Sequence, residues 1–103
     1  MDDAIRAISE PRRREILRLV RDAELSAGQI ASQFTVTRPA ISQHLKVLKD
    51  AGLITERRDG TRRLFRARAE GLAELRSELE WMWDDRLAVL KELAEAEERR
   101  RGR

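Results

Sequence analysis

A mainly α-helical fold carrying one small β-hairpin is what the sequence predicts, and three observations predict it. Apolar residues recur at helical spacing through most of the chain. That period breaks once, over residues 53–67, where two short strand-like runs flank Asp59-Gly60. From residue 70 to 100 there is no proline, and the only glycine is Gly71, so one long helix is expected there. With 103 residues, the chain is sized for a single domain, 1–103, around one core.

The elements follow in order. Asp2 and Asp3 precede Ile5 and Ile8 at i, i+3 spacing, which predicts a brief first helix with acidic side chains at its positive end. Ser9-Glu10-Pro11 reads as the next start, with Ser9 as N-cap and Pro11 in the first turn, where a missing N–H does no harm. Ile16, Leu17, Leu19 and Val20 then define a helix over 11–22; of its Arg12-Arg13-Arg14 triplet, two are expected to stay solvated. A third helix opens at Ser26, with Ala27, Ile30, Ala31 and Phe34 on one face. Thr35 and Val36 lead to Thr37, the expected N-cap of a fourth helix. That helix has Pro39 in its first turn and Ile41, Leu45 and Leu48 as its buried stripe, and Gly52 closes it as a left-handed C-cap. Two helices of about eight and fourteen residues, joined by a short turn, make a helix-turn-helix over 26–51.

Residues 53–67 read as a hairpin, or wing. An Asp-Gly loop of type I′ would pair Arg58 with Thr61, Glu56 with Arg63 and Ile54 with Phe65. Apolar residues then meet at the base and basic ones crowd the tip. The whole is a winged helix-turn-helix with a long C-terminal helix over 70–100. On that last helix Leu72, Leu75, Leu79, Met82, Val89 and Leu93 form a stripe, widened by Trp83, Leu87, Leu90 and Ala94. Thirty residues of helix run about 45 Å, more than so small a domain covers by itself. A second copy of the chain, paired about a two-fold axis, is expected to cover the rest. Trp81 and Trp83, two residues apart, cannot share a face; Trp83 is the expected interface anchor.

Charge and composition restrict the function. Residues 38–68 hold nine basic side chains against Asp50, Glu56 and Asp59, a net +6, whereas 1–37 cancel and 69–103 carry −3. Positive charge concentrated in one segment points to a polyanion bound by one face. On a wheel centred on Ile41, Leu45 and Leu48, the side chains of Arg38, Pro39, Ser42, Gln43 and Lys46 fall on the open face. Gln43 has the geometry to bond an adenine edge bidentately, and Arg38 or Lys46 to meet guanine or phosphate. Arg58, Arg62 and Arg63 are the wing residues best placed for phosphate or minor-groove contact, although Glu56 is positioned to pair with Arg63 across the strands. With no cysteine, one histidine and no tyrosine, the chain lacks a nucleophile set, and no enzyme activity or cofactor is expected. No apolar run approaches a membrane span and no signal-peptide pattern opens the sequence, so a soluble cytoplasmic protein is expected.

In one stretch after another the sequence resembles the ArsR/SmtB family of bacterial repressors. The likeness is carried by Ser9 to Leu17, Leu25 to Phe34, the run Pro39-Ala40-Ile41-Ser42-Gln43-His44-Leu45-Lys46-Val47-Leu48, and Ala51-Gly52-Leu53-Ile54 with the Arg-rich hairpin. Met82-Trp83-Asp84-Asp85-Arg86-Leu87 looks like the cysteine-free SdpR-like branch. The resemblance implies a homodimeric repressor, of autorepressor type, on a palindromic double-stranded DNA operator. Its reading helix, 38–51, would enter the major groove, with Thr37 and His44 joining the DNA-facing set. Its dimer interface would lie on the first and last helices, through Ile5, Ile8, Leu72, Leu75, Leu79, Met82, Trp83 and Leu90. A half-buried packing role for His44 fits the residues equally well. Where arsenic-responsive members carry thiolates, this chain has Ser26, Ala27 and Gly28, and its long helix has no histidine, so no metal site is expected. The effector, if a small molecule, is not legible. Two other functions are weighed, a winged helix turned protein-interaction module and a non-specific architectural DNA-binding protein. The polar set on the reading helix argues against the first, and equal affinity for random and palindromic duplexes would mark the second.

Overall fold

The computed structural model describes residues 2–102. Five helices and three strands follow in order: α1 (Asp2–Ile8), α2 (Pro11–Asp22), β1 (Leu25–Ser26), α3 (Ala27–Ala31), α4 (Arg38–Asp50), β2 (Ile54–Asp59), β3 (Arg62–Ala67) and α5 (Ala69–Arg101). The predicted fold class holds: mainly helical, with a small sheet and a long last helix. The core is drawn from every helix and from the sheet. Ile16 and Val20 of α2, Ile30 of α3, Ile41 and Leu48 of α4, Leu53 and Phe65 are all essentially sealed from solvent.

Local chemistry sets the ends of the elements, and it corrects the sequence reading at α2. The N-cap is Glu10, whose carboxylate accepts from the Arg13 backbone N–H at 3.0 Å. With Pro11 as the first helical residue, the cap falls on its immediate neighbour. Ser9 instead closes α1, its hydroxyl donating to the Arg6 carbonyl at 2.6 Å. Ser26 and Thr37 cap α3 and α4 as expected. The Ser26 cap is a full capping box, in which Oγ accepts from Gln29 N at 3.1 Å and Gln29 Oε1 accepts from Ser26 N at 2.8 Å. The third helix is shorter than the periodicity suggests, five residues, because the chain tightens into successive i→i−3 bonds, Gln33 N to Ile30 O and Phe34 N to Ala31 O. At the end of α4, Gly52 (φ +76°) and Leu53 donate to the carbonyls of Lys49 and Leu48, both at 3.0 Å. This Schellman turn aims the chain straight into the wing.

The sheet differs from the expected hairpin in two ways. Its order is β1-β3-β2, so the two-residue strand Leu25–Ser26, absent from the sequence reading, lies against β3 and makes β3 central. The register also moves: Asp59 pairs with Arg62, Arg58 with Arg63, Glu56 with Phe65 and Ile54 with Ala67. The loop is therefore Gly60-Thr61. Gly60 has φ +65°, and no other residue type among those described has a positive φ, which excludes type I′ and fits the glycine-first type II′ loop.

The last helix, at 33 residues, is about 50 Å long and carries the molecule out to 73 Å in its longest dimension. Its first turn packs closely on the α4 terminus: a Cβ built on Gly71 would stand 1.9 Å from the Gly52 carbonyl oxygen. Only Gly71 and Leu75 of α5 are buried. No helix among the described residues is long and apolar enough to cross a membrane.

Candidate nucleic-acid interface

The candidate surface is built on α4 and the wing. Thr37 Oγ1 accepts from Ala40 N at 3.3 Å, Pro39 sits in the first turn, and the Ile41–Leu45–Leu48 stripe anchors the helix to the core. The opposite face then has to point outward. Thr37, Arg38, Pro39, Ser42, Gln43 and Lys46 are all exposed. Lys46 pairs with Asp50 one turn along, at 2.7 Å, and Arg38 lies over Gly28 of α3.

The wing faces the same side. A cleft between α4 and the sheet is lined by Ser42, Gln43, Lys46, Lys49, Glu56 and Arg63, with Phe65 among its lining residues. Arg63 Nε donates to Glu56 Oε1 at 3.0 Å, Nη2 donates to the same oxygen, and the guanidinium lies 5.4 Å from the Phe65 ring centroid. Glu56 and Arg63 are diagonal neighbours on one face of the sheet rather than the directly opposed pair expected. Lys49 Nζ approaches Glu56 Oε2 at 3.7 Å. The Arg63 hydrogen bond, reinforced by the charges of Arg63, Lys49 and Arg58, holds the Glu56 carboxyl below the usual carboxylate range. Arg62 donates to Gln29 Oε1 at 3.2 Å, tying the tip of the wing to the α3 capping box. Arg58 has no ion-pair or hydrogen-bond partner among the described residues.

Of the two places open to His44, it takes the half-buried packing one, turned inward and not out with Ser42 and Gln43. Its side chain is 17% exposed, with Nε2 4.0 Å from Glu10 Oε2 and Nδ1 3.5 Å from Arg13 Nη1. Of the Arg12-Arg13-Arg14 triplet, Arg12 and Arg14 are exposed, as expected for two of the three, and Arg13 is half-buried; Arg13 and Arg14 also close the end of α1. Arg13 donates to the carbonyls of Ala7 (2.6 Å) and Arg6 (3.2 Å), and Arg14 to that of Ile8 (2.6 Å). These carbonyls lie at a helix C-terminus, where the i→i−4 donors run out and the negative end of the dipole attracts a guanidinium. One pair had no signal in the sequence reading. Arg57 grips Glu24 bidentately, Nε to Oε2 at 2.8 Å and Nη2 to Oε1 at 2.6 Å, on the side away from the cleft. Glu24 comes within reach only because β1 joins the sheet.

The long helix divides the expected partner-facing residues. Leu75, at 5% exposure, is spent on the protomer's own core, and Ile5, Ile8 and Leu72 pack partly against it. Leu79, Met82, Trp83 and Leu90 are 38%, 42%, 60% and 59% exposed, a large apolar surface left uncovered. No group of three or more His, Asp or Glu side chains able to hold a metal occurs among the described residues.

Known proteins share this arrangement. The sequence model of the bacterial regulatory protein, arsR family, matches residues 10–56, from the α2 cap through α4 into β2. The HTH-type transcriptional regulator Rv2034 of Mycobacterium tuberculosis is 40% identical over 96 residues, covering 93% of this chain and 90% of its own. The chain belongs to the ArsR family. The transcriptional repressor SdpR of Bacillus subtilis is 43% identical over 60 residues, 58% of this chain and 67% of its own. A homodimeric winged helix-turn-helix DNA-binding domain of Mycobacterium bovis has a similar structure, with TM-score 0.66 and 30% identity over 82% of this chain and 78% of that one. ArsR-family regulators are DNA-binding proteins without catalytic activity, so the chain is a regulator and not an enzyme.

Proposed function

We propose that two copies of this chain form a sequence-specific repressor that reads a palindromic double-stranded operator, with no metal in its signal. The observation that carries this reading is the shared orientation of two surfaces. Ser42, Gln43 and Lys46 of α4 line one cleft with Arg63 of the wing, and Arg38 and Ser42 line a neighbouring one with Arg62 and Arg63, on a frame anchored in the core. An exposed helix face of this width fits the major groove, and a flanking β-ribbon reaches the adjacent backbone. Gln43 reads a base edge, Arg38, Ser42 and Lys46 contact bases or phosphate, and Thr37 and Pro39 sit at the helix entry. Arg58, Arg62 and Arg63 meet phosphates. His44 supports the helix from behind.

Dimerisation is supported by the exposed apolar face of α5 and by the homodimeric M. bovis domain of similar structure. Leu79, Met82, Trp83 and Leu90 supply the pairing surface, with Ile5, Ile8 and Leu72 at its inner edge. The likeness to SdpR supports repression and the SdpR-like branch. The absence of cysteine removes the thiolates that a soft-metal sensor requires. The test is a footprint of the purified protein on duplexes enriched from a random library. Two protected half-sites with dyad symmetry, about 10 bp apart between centres, are expected; protection without symmetry, or none, refutes the proposal.

A further inference from the structure

The one acidic side chain that both bridges the two parts of the reading cleft and is largely buried there is Glu56. A carboxylate inside a surface meant for a polyanion opposes binding by simple charge counting. Its surroundings show what it does instead. Only 17% of its side chain is exposed, and its two oxygens hold cations from two different elements: Oε1 takes Arg63 of β3, and Oε2 faces Lys49 of α4 at 3.7 Å. Arg63 is fixed twice, by this carboxylate and by the Phe65 ring 5.4 Å below it, and Phe65 is itself sealed in the core at 1% exposure. The Arg63 side chain nevertheless remains half exposed, so it is oriented without being used up. By contrast, the Lys46–Asp50 pair lies within one helix and is well exposed at both ends, which makes it a weak constraint.

From this geometry we infer that Glu56 is a positioning residue: it locks Arg63 and Lys49 across the cleft, so that wing and reading helix meet DNA as one rigid head. The inference rests on the DNA-reading function proposed above. The charge it places near the phosphates weakens binding to any duplex. The preset spacing of two cations strengthens binding only to the duplex whose backbone matches it. On the matching duplex the second effect outweighs the first, and on any other only the first remains, so Glu56 contributes selectivity.

The two effects separate in the full-length protein carrying Glu56→Gln, which keeps the side chain's size and removes its charge. Affinities are measured by fluorescence anisotropy across a salt series. The probes are a duplex enriched by the wild type from a random library and poly(dI-dC), with a thermal melt alongside. Glu56→Gln is expected to lose about fivefold on the enriched duplex while holding or gaining affinity for poly(dI-dC). Glu56→Asp should recover part of the loss, and Glu56→Gln in an Arg63→Ala background should lose little more. Tighter binding to both probes would show that Glu56 merely repels phosphate, and equal losses on both, with a lowered melt, would show a structural role. Either overturns the inference. A wild type that binds neither probe refutes the DNA-reading function itself, a result recognisable before any variant is made.

Discussion

Gly71→Ala isolates the contact that seats the long helix, because two ordinary effects predict opposite signs for it. Position 71 lies in the first turns of α5, where replacing glycine by alanine normally stabilises a helix by ~1 kcal/mol. Here the new Cβ would stand 1.9 Å from the Gly52 carbonyl oxygen and 3.0 Å from its carbon. An ordinary carbon–oxygen contact is about 3.3 Å, so the helix has to retreat by more than ~1 Å. Gly52 cannot yield as a flexible side chain would. It is held at φ +76° by the turn that ends α4, its N–H bonded to the Lys49 carbonyl at 3.0 Å. Overpacking against backbone belongs at the upper end of the usual range, ~3 kcal/mol, and subtracting the propensity gain leaves a net loss of about 2 kcal/mol. For a chain of this size that lowers the melting temperature by about 10 °C. Calorimetry at matched protein concentration measures it, and Ala73→Gly, on the exposed side of the same turn, calibrates the propensity effect alone. A Gly71→Ala protein as stable as the wild type, or more so, would refute the close seating of α5 on α4.

Three further perturbations probe other parts of the molecule. Gln43→Ala should relax base preference at one position in each half-site, by about 1–3 kcal/mol in competition binding; an equal loss on every sequence would make Gln43 a backbone contact. Leu90→Glu should halve the sedimenting mass and abolish high-affinity binding while the circular dichroism of the winged head persists, whereas an unchanged mass would place the interface elsewhere. The Glu24 carboxyl is held below its usual range by the Arg57 hydrogen bond, which outweighs the opposing effect of burial and is joined by the charges of Arg57 and Arg66. A carboxyl depressed in the folded state adds stability at neutral pH, and this stability is lost as pH falls through its folded value. Urea melts should therefore show wild type and Glu24→Gln converging in stability below the ordinary carboxylate range, and a constant gap would contradict the pairing.

The sequence yields those elements whose signals are local. Thr37 before Arg38-Pro39, and Ser26 with Gln29 three residues on, name their helix starts because a cap needs only its own turn. Gly52-Leu53 likewise names an end. The errors arise where distant groups decide. A slip of one residue in a hairpin exchanges its faces, but a slip of two leaves the alternation intact, so the apolar pattern cannot choose between loops at Asp59-Gly60 and Gly60-Thr61. β1 is two residues long and has no period to detect. Of the candidate site, the outward set Arg38, Ser42, Gln43 and Lys46 follows from the stripe behind it. The inward turn of His44 depends on Glu10 and Arg13, more than thirty positions away, and the close approach of Gly71 depends on where Gly52 lies. Leu75 fits the same stripe as Leu79, yet the head of the domain covers the first and not the second. Periodicity finds a face and says nothing about how far along it the core extends.

The central claim is that α4 and the wing together bind duplex DNA through phosphate contacts as well as base contacts. Titrating the purified protein with an enriched duplex over a range of salt measures this directly. Each neutralised phosphate contributes a slope of about 0.9 in log K against log salt. Arg58, Arg62, Arg63, Lys49 and Arg38 from two copies predict a slope of several units, with a clear preference for the enriched duplex over random sequence. A flat salt dependence, or no binding in dilute buffer, would contradict it.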